Sequence, residues 1–593
     1  MKVDLPTSSA LQLGSKIQNR GAVLGVVYRS GFLVLLMFVG YKMAVACSRN
    51  VFLQDYIASL QPGLVQVVVP LNSSTDSSLE SAKTRTGEQP TKFDTWPLLF
   101  PTFPNESVSI LQQITENNTE PCYRQRTYTA QVFGLPKPVD GEPIQLQTGK
   151  IHELLIVSYE ESGRRRCAGG DFFETDLSSD NWKARPTILD NRDGSYAVKF
   201  MVDSRFAGLF VFKVMLLFAN FHALDASNCT EWSRLEDILT VEIEFVAPDP
   251  QQESLPDLRR CTDDDFSLKA WSGRWNRHTW NQTCEIRDDG RFICIDLDEE
   301  CEAPWCEGKV GLLESNGWVY SAHCKFKIFT RDEAWDCLNG RWLFFWGDSN
   351  HEDSVRNLLN LVLGFPLTDV NHMRRWFNGT FYHPKKANHS LTITKIFNGH
   401  GEELGNLLGL SSLRNERYRD LLVSFFNGTH TPDTMVMNSG LHDAHFYQTA
   451  SEFAEEGVDY AIDFWNGLWR HARPAIVYRT TVTSAGYAKG ESGHARDGLP
   501  NPHKMEIYNR IFVEKMQELN YVPSLKVVDA FDLTFPWHYD LNHTDGVHYG
   551  REPSKTPWPW RPHHEYRKVT QVGHQYFVDL MLVHILLNAI CPV

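Results

Sequence analysis

The chain has no concentrated run of positive charge: 58 Lys and Arg stand against 73 Asp and Glu, a formal charge of −15. Nucleic-acid binding takes its affinity from clustered cations on phosphates, so this balance argues against such a partner. Paired C-x-x-C spacing is absent, which removes the usual knuckle of a zinc site, and no metal is expected. No internal repeat of solenoid or propeller length occurs. The last apolar run, YFVDLMLVHILLNAICPV, is interrupted by Asp579, His584 and Asn588, so it reads as an amphipathic core helix and not as a membrane span.

Apolar residues are plentiful. Hydrophobic side chains make up 42% and aromatics 12% of 593 residues, enough for two or three globular units joined by linkers. At the N-terminus Lys2, Lys16, Arg20 and Arg29 precede the apolar run Gly31–Cys47. One reading is a signal anchor, with residues 1–30 as a cytosolic tail and 31–47 crossing the bilayer. The other is a cleaved signal peptide, for which Ala44-Val45-Ala46 supplies a small-x-small site. The basic residues extend far before the run, which favours the anchor. Both readings deliver the remainder to the lumen of the secretory pathway, as a type II single-pass protein or a secreted one.

Nine Asn-x-Ser/Thr sequons follow the apolar run, at Asn72, Asn105, Asn117, Asn228, Asn281, Asn378, Asn388, Asn427 and Asn542, and none precedes it. That distribution fits a glycoprotein. Seven of twelve cysteines crowd between Cys261 and Cys337, as disulfide frameworks do in oxidising compartments. A metal site built from Cys294, Cys301, Cys306, His323 and Cys324 is the rival reading. The pairing itself is not legible from spacing.

Residues 48–120 are rich in Ser, Thr, Pro and Asn and cannot bury enough apolar area to offset their ordering entropy, so they read as a stem. Residues 121–250 hold strand-length runs such as HELLIVSY, SYAVKFMV and GLFVFKVMLLF, which predict an antiparallel β-sandwich. In Asp190-Asn-Arg-Asp-Gly-Ser-Tyr-Ala-Val-Lys-Phe200 the Asp193-Gly194 pair turns the chain, and Tyr196, Val198 and Phe200 should face one core. Residues 251–340 form a Cys- and Trp-rich lead-in. From 341 to 593 strands and helices alternate, which predicts a mainly parallel sheet covered on both faces, with active groups at the C-terminal strand ends.

Candidate chemistry lies at those ends. Gly347-Asp348-Ser349 closes the first strand and opens a helix, so the Ser349 hydroxyl can be exposed beside helix-start N–H groups. Asp and Ser also begin helices as ordinary caps. Near the other end of the domain stands Asp545-Gly-Val-His548, a compact base unit in which His548 takes the serine proton and Asp545 orients the imidazole. Asn438, ending the strand DTMVMNS, is the expected side-chain donor to an oxyanion. The backbone N–H groups of Ser349 and of Gly399, in the loop Asn398-Gly399-His400-Gly401, are the expected backbone donors. His538, His543 and His548 are evenly spaced, but neither strand nor loop puts every fifth residue on one face, so a metal reading is weak. His442, His445, Asp443 and Arg356 have two readings, as residues lining the cleft or as solvated loop residues, and the second is favoured. Occupancy of the Asn542 sequon would crowd the base.

The motifs GDS, the Gly loop, MNSGLHD with Asn438 and DGVHY, in this order, resemble the SGNH (GDSL-type) hydrolase superfamily. NGWVYSAHCKFKIFTRDEAWDCLNGRWLFFWGDSN resembles the approach to GDS in its PC-esterase branch, which includes plant trichome-birefringence-like proteins. The D-x-x-D-G-x-Y-x-V-x-F segment resembles filamin-type immunoglobulin-like repeats and the neurexophilin-like domain. The combination is similar to the neurexophilin and PC-esterase domain family. The resemblance implies an α/β chain whose three-layer αβα domain follows an immunoglobulin-like sandwich. It also implies an acyl-serine intermediate on Ser349 and O-acetyl groups on glycans as the chemistry. Where many relatives carry Arg three places after the serine, this chain has Glu352. The expected activity is a glycan or glycoprotein O-acetyltransferase of the Golgi lumen. It would hold no bound cofactor and take an acyl donor derived from acetyl-CoA, which calls for a donor-transporting partner in the membrane. The alternatives are an O-acetyl esterase and a non-catalytic adhesion or ligand protein built on a decayed esterase fold.

Overall fold

A computed structural model describes residues 126–591 apart from 138–140, 220–232, 248–257, 269, 278–284, 287–291, 294–317, 367–375, 399–408, 448, 484–500, 520–524, 539–547 and 550–575. The expected tail, membrane segment and stem lie outside the described residues, as do Gly399 and Asp545. Among the described residues no helix is long and apolar enough to cross a membrane. The protein is mixed α/β, with sheets that include parallel strands.

Two sheets form the first part. One has the order β1 (Thr129–Phe133), β3 (His152–Tyr159), β7 (Ser195–Phe200) and β6 (Thr187–Asp190), all antiparallel. The other runs β13 (Trp318–Ser321), β10 (Arg274–Arg277), β5 (Trp182–Ala184), β4 (Phe172–Ser179), β8 (Gly208–Phe218), β9 (Ser233–Val246) and β2 (Ile144–Gln147), antiparallel except for β2 on β9. A small ribbon pairs β11 (Glu285–Ile286) with β12 (Phe292–Ile293). The Asp193-Gly194 turn forms as its residues dictate. Gly194 has φ +81°, and a Cβ there would collide with the Arg166 carbonyl. Tyr196, Val198 and Phe200 then share one core with Phe173, Phe212 and Val214, so the two sheets pack face to face. Strands β10 and β13 come from the Cys- and Trp-rich segment and extend the second sheet, so that segment is structurally continuous with what precedes it.

The second part is a six-stranded sheet: β14 (Trp342–Gly347), β15 (Trp376–Tyr382), β16 (Ser390–Phe397), β17 (Thr434–Met437), β18 (Ala475–Arg479) and β19 (Lys526–Val528). Its order is β15-β16-β14-β17-β18-β19, parallel except for the β15 edge. Period-2 alternation sends Leu343 and Phe345 to one core and Phe344 and Trp346 to the other. Helices α1 (Ser349–Asn357) and α5 (Tyr576–Ile590) contribute to the first core, and α2 (Asp459–Ala472) and α3 (Pro502–Gln517) to the second. A short helix α4 (Ala530–Thr534) follows β19. Strands β15 and β16 fall outside the strand runs expected from the sequence. On β15, Trp376, Asn378, Thr380 and Tyr382 are exposed in alternation, so this edge strand lacks the apolar run of a buried one.

Helix α5 is a core helix: Phe577 to Ile590 are buried, and Asp579 accepts hydrogen bonds from Ser354 and Asn357 at 2.7 Å each. Disulfides join Cys261 to Cys324 and Cys337 to Cys591, and Cys167 is also disulfide-bonded. The Cys324 sulfur is thereby committed, and its neighbours Asp265 and His323 hydrogen-bond each other at 2.7 Å. The sequons within the described residues, at Asn378, Asn388 and Asn427, all present exposed asparagines.

The two parts share a packed border. Phe172, Met215, Leu217 and Phe218, from the second sheet of the first part, lie in the same core as Tyr508 and Phe512 of α3. Phe172 stacks on His503 with ring centroids 4.2 Å apart, and Arg185 holds Glu506 with two bonds of 3.2 and 3.0 Å.

Candidate active site

Strand β14 stands where the order of the parallel sheet reverses, with β16 on one side and β17 on the other. In an open α/β sheet the crevice at the C-terminal ends of such strands is where ligands bind. Asn398 N donates to Gly347 O and Asn438 N to Trp346 O, both at 3.0 Å, so the three strand ends are tied side by side. Asp348 caps α1 and accepts from Asn350 N at 2.9 Å, which makes Ser349 the first helical residue. Its backbone N–H is one of the helix-start donors that helix geometry leaves without an intrahelical partner. Gly347 is required by crowding, because a Cβ there would collide with the buried His351 ring.

Ser349 is half-buried, and its Oγ lies 2.5 Å from His548 Nε2 across 199 residues of sequence. His548 is itself only 9% exposed. Its chain neighbour Tyr549 is buried and donates its hydroxyl to Thr483 O at 2.9 Å. The structure therefore brings the expected nucleophile and base together.

Asn438 ends β17 as expected, but its amide is used differently. Nδ2 donates to Arg479 O at 3.2 Å and to Thr481 Oγ1 at 3.0 Å, and the residue is 1% exposed. A buried amide must satisfy its donors, and the chain leaving β18 offers two acceptors within reach. In this arrangement Asn438 links the ends of β17 and β18 and does not offer Nδ2 to the crevice. Asn350, beside the nucleophile and 2% exposed, has an Nδ2 with no hydrogen-bond partner among the described residues.

Around α1 lies a buried ionic layer that the sequence reading did not identify. Arg479, at the end of β18, donates to Ser354 Oγ at 3.3 Å and faces Asp579, Asp348 and Asp353. Burial raises the Asp579 carboxyl to about 6, against the pull of Arg479. Lys395 reaches Glu352 at 3.2 Å, and burial lowers its pKa despite that partner. Glu352, three places after Ser349, is thus paired with a buried cation from the adjacent strand. His351 is fully buried and is held well below its ordinary value by burial, then by Arg479 and Lys395. One signal was available for Arg479, a cation that closes the otherwise apolar run AIVYR.

Asp443 was expected to be solvated and is not. It is fully buried, accepts from Leu410 N at 2.7 Å and from Ser439 Oγ, and burial raises it to about 6. His538 is likewise buried and bonded to Glu174 and to Phe535 O, and His543 lies outside the described residues. No family model matches the chain, and no curated protein matches it. The geometry therefore carries the functional argument alone. A hydroxyl in contact with an imidazole at a helix start can form a covalent acyl-enzyme, with the helix N–H groups facing the developing oxyanion.

Proposed function

We propose that this chain is a serine acyltransferase of the SGNH type, acting on O-acetyl groups of glycans or glycoproteins in the secretory pathway. The observation that carries the reading is the 2.5 Å contact between Ser349 Oγ and His548 Nε2 at the reversal point of the parallel sheet. Ser349 Oγ attacks the acyl carbonyl while His548 Nε2 takes its proton. The carbonyl oxygen becomes an oxyanion facing the Ser349 N–H and, by resemblance, that of Gly399. The bond to the leaving group breaks, His548 returns the proton to it, and acyl-Ser349 remains. A sugar hydroxyl then gives its proton to His548 and attacks the ester; the bond between the acyl carbon and Ser349 Oγ breaks, and His548 returns the proton to Oγ, which frees the serine. Asp545 is assigned to orient the imidazole.

The sheet order, with helices on both faces, supports the αβα SGNH reading, and the paired sheets before it support an immunoglobulin-like, neurexophilin-type domain. Disulfides and exposed sequon asparagines support a lumenal setting, which goes with the N-terminal anchor, a Golgi location and a membrane partner delivering an acyl donor derived from acetyl-CoA. Hydrolysis shares every step up to acyl-serine and differs only in the acceptor. The test is labelling of the full-length protein with a fluorophosphonate and, on a separate unlabelled sample, incubation with isotopically labelled acetyl donors and glycan acceptors. Ser349→Ala or His548→Ala should lower labelling by about 10³-fold or more. Acetyl on the sugar supports transfer, and free acetate indicates an esterase. Absence of Ser349-dependent labelling would refute the enzyme and favour an adhesion or ligand protein.

A further inference from the structure

His538 is the last described residue before the segment that carries Asp545 and leads to His548. It is fully buried, and its Nδ1 lies 2.6 Å from Phe535 O, an acceptor only. Its Nε2 lies 3.2 Å from both oxygens of Glu174, which is fully buried on β4 in the two-sheet part. Both ring nitrogens are thus engaged, Nδ1 with the Phe535 carbonyl and Nε2 with the Glu174 carboxyl.

The described stretch that ends in His538 is also gripped by the two-sheet part through residues 533–537. The Arg185 guanidinium lies 4.0 Å over the Phe535 ring, Lys183 lies 5.2 Å over Trp537, and Trp275 Nε1 donates to Leu533 O at 2.8 Å. From this segment a chain of hydrogen bonds leads back to the base. Thr483 N donates to Thr534 Oγ1 at 3.0 Å and Thr483 Oγ1 to Phe531 O at 3.1 Å, while Tyr549 OH donates to Thr483 O at 2.9 Å. Tyr549 is the covalent neighbour of His548.

We infer that Glu174 is a positioning residue for the base: by holding His538 it fixes α4 and the turn after it, and through Thr483 and Tyr549 it sets where the His548 imidazole meets Ser349. The two-sheet part is then a component of the active site's frame rather than a separate binding module. The inference rests on the reading of His548 as the base. A buried carboxylate aimed at a buried imidazole is a strong locator, because neither group has water to turn to if they separate.

The test uses the full-length chain as wild type, Glu174→Ala, Glu174→Gln, His548→Ala and the Glu174→Ala/His548→Ala double variant. Two quantities are read: the rate of Ser349-dependent fluorophosphonate labelling, and hydrogen exchange in peptides covering 530–538 and 548–549. Glu174→Ala should slow labelling about tenfold or more, the scale of a misplaced catalytic group, while Glu174→Gln, whose amide oxygen still accepts from Nε2, recovers most of the rate. In the His548→Ala background Glu174→Ala should change nothing further, because the group it positions is gone. Exchange should rise in both peptides and not in Asp459–Ala472. An equal loss of rate in both backgrounds, or unchanged exchange at 548–549, would overturn the inference. If Glu174→Ala does not fold, Glu174→Gln carries the test: exchange at 548–549 no faster than in wild type together with a large loss of labelling would count against it. If wild type shows no Ser349-dependent labelling, the acyl-serine reading fails, and the exchange data still decide whether Glu174 holds the His548 segment.

Discussion

Replacing Asp443 by Asn should reshape how stability depends on pH. The Asp443 carboxyl is fully buried, and burial, opposed by hydrogen bonds from Ser439 Oγ, Leu410 N and Gly440 N, raises it from 3.8 to about 6. A carboxyl that binds its proton more tightly when folded adds stability below its unfolded value, and that stability is lost as pH rises through the folded value. The full contribution is about 3 kcal/mol, two units at 1.36 kcal/mol each. Between pH 4.5 and 7.5 about 2 kcal/mol of it should disappear, because the unfolded carboxyl is already mostly ionised at the lower pH. In Asp443→Asn the new amide can keep the Leu410 bond through its oxygen and give its nitrogen to Ser439, and it does not titrate. Denaturant unfolding of both proteins at pH 4.5 and 7.5 reads the difference. The gap in favour of the variant should widen by about 2 kcal/mol on going to pH 7.5. Asp190 and Asp579, raised to about 6, and Asp532, raised to about 7, give slopes of the same sign in both proteins, so they cancel in the comparison. An unchanged gap, or one that widens toward acid, would refute the assignment of Asp443 as a buried carboxyl that ionises only at a penalty.

Gly347→Ala should cost about 1–3 kcal/mol through the clash with His351 and slow Ser349 labelling, checked by thermal unfolding beside the labelling rate. Cys337→Ser together with Cys591→Ser opens a link spanning 254 residues and should lower stability by about 2–5 kcal/mol, read by denaturant unfolding against wild type. Glycopeptide mass spectrometry of protein made in a secretory host should find glycan at Asn378, Asn388 and Asn427, each exposed, and little at Asn542, which is six positions before His548 in sequence.

Much of the sheet framework was legible because its signals are local. The apolar runs of β14, β17 and β18 mark buried parallel strands, and the Asp193-Gly194 turn with alternate Tyr196, Val198 and Phe200 marks a hairpin. Strand β15 was missed because an edge strand with one exposed face and a sequon in its middle carries no such run, and β16, though interior, was missed because Ser390, Thr392, Thr394 and Lys395 interrupt its apolar pattern. Asn438 was placed correctly at a strand end and given the wrong partner, because which way a strand-end amide turns depends on the acceptors that the next strand brings alongside.

Residue type and order alone singled out Ser349 and His548, since a hydroxyl at a helix start and a histidine in a D-x-x-H unit are chemical facts that need no coordinates. They could not say that the imidazole reaches the hydroxyl, that Cys337 meets Cys591, that Lys395 answers Glu352, or that Glu174 of the first part locks His538 of the second. Those pairings join positions 43 to 364 residues apart, and they arise only when apolar faces close over them and set each polar group against a partner far away in sequence.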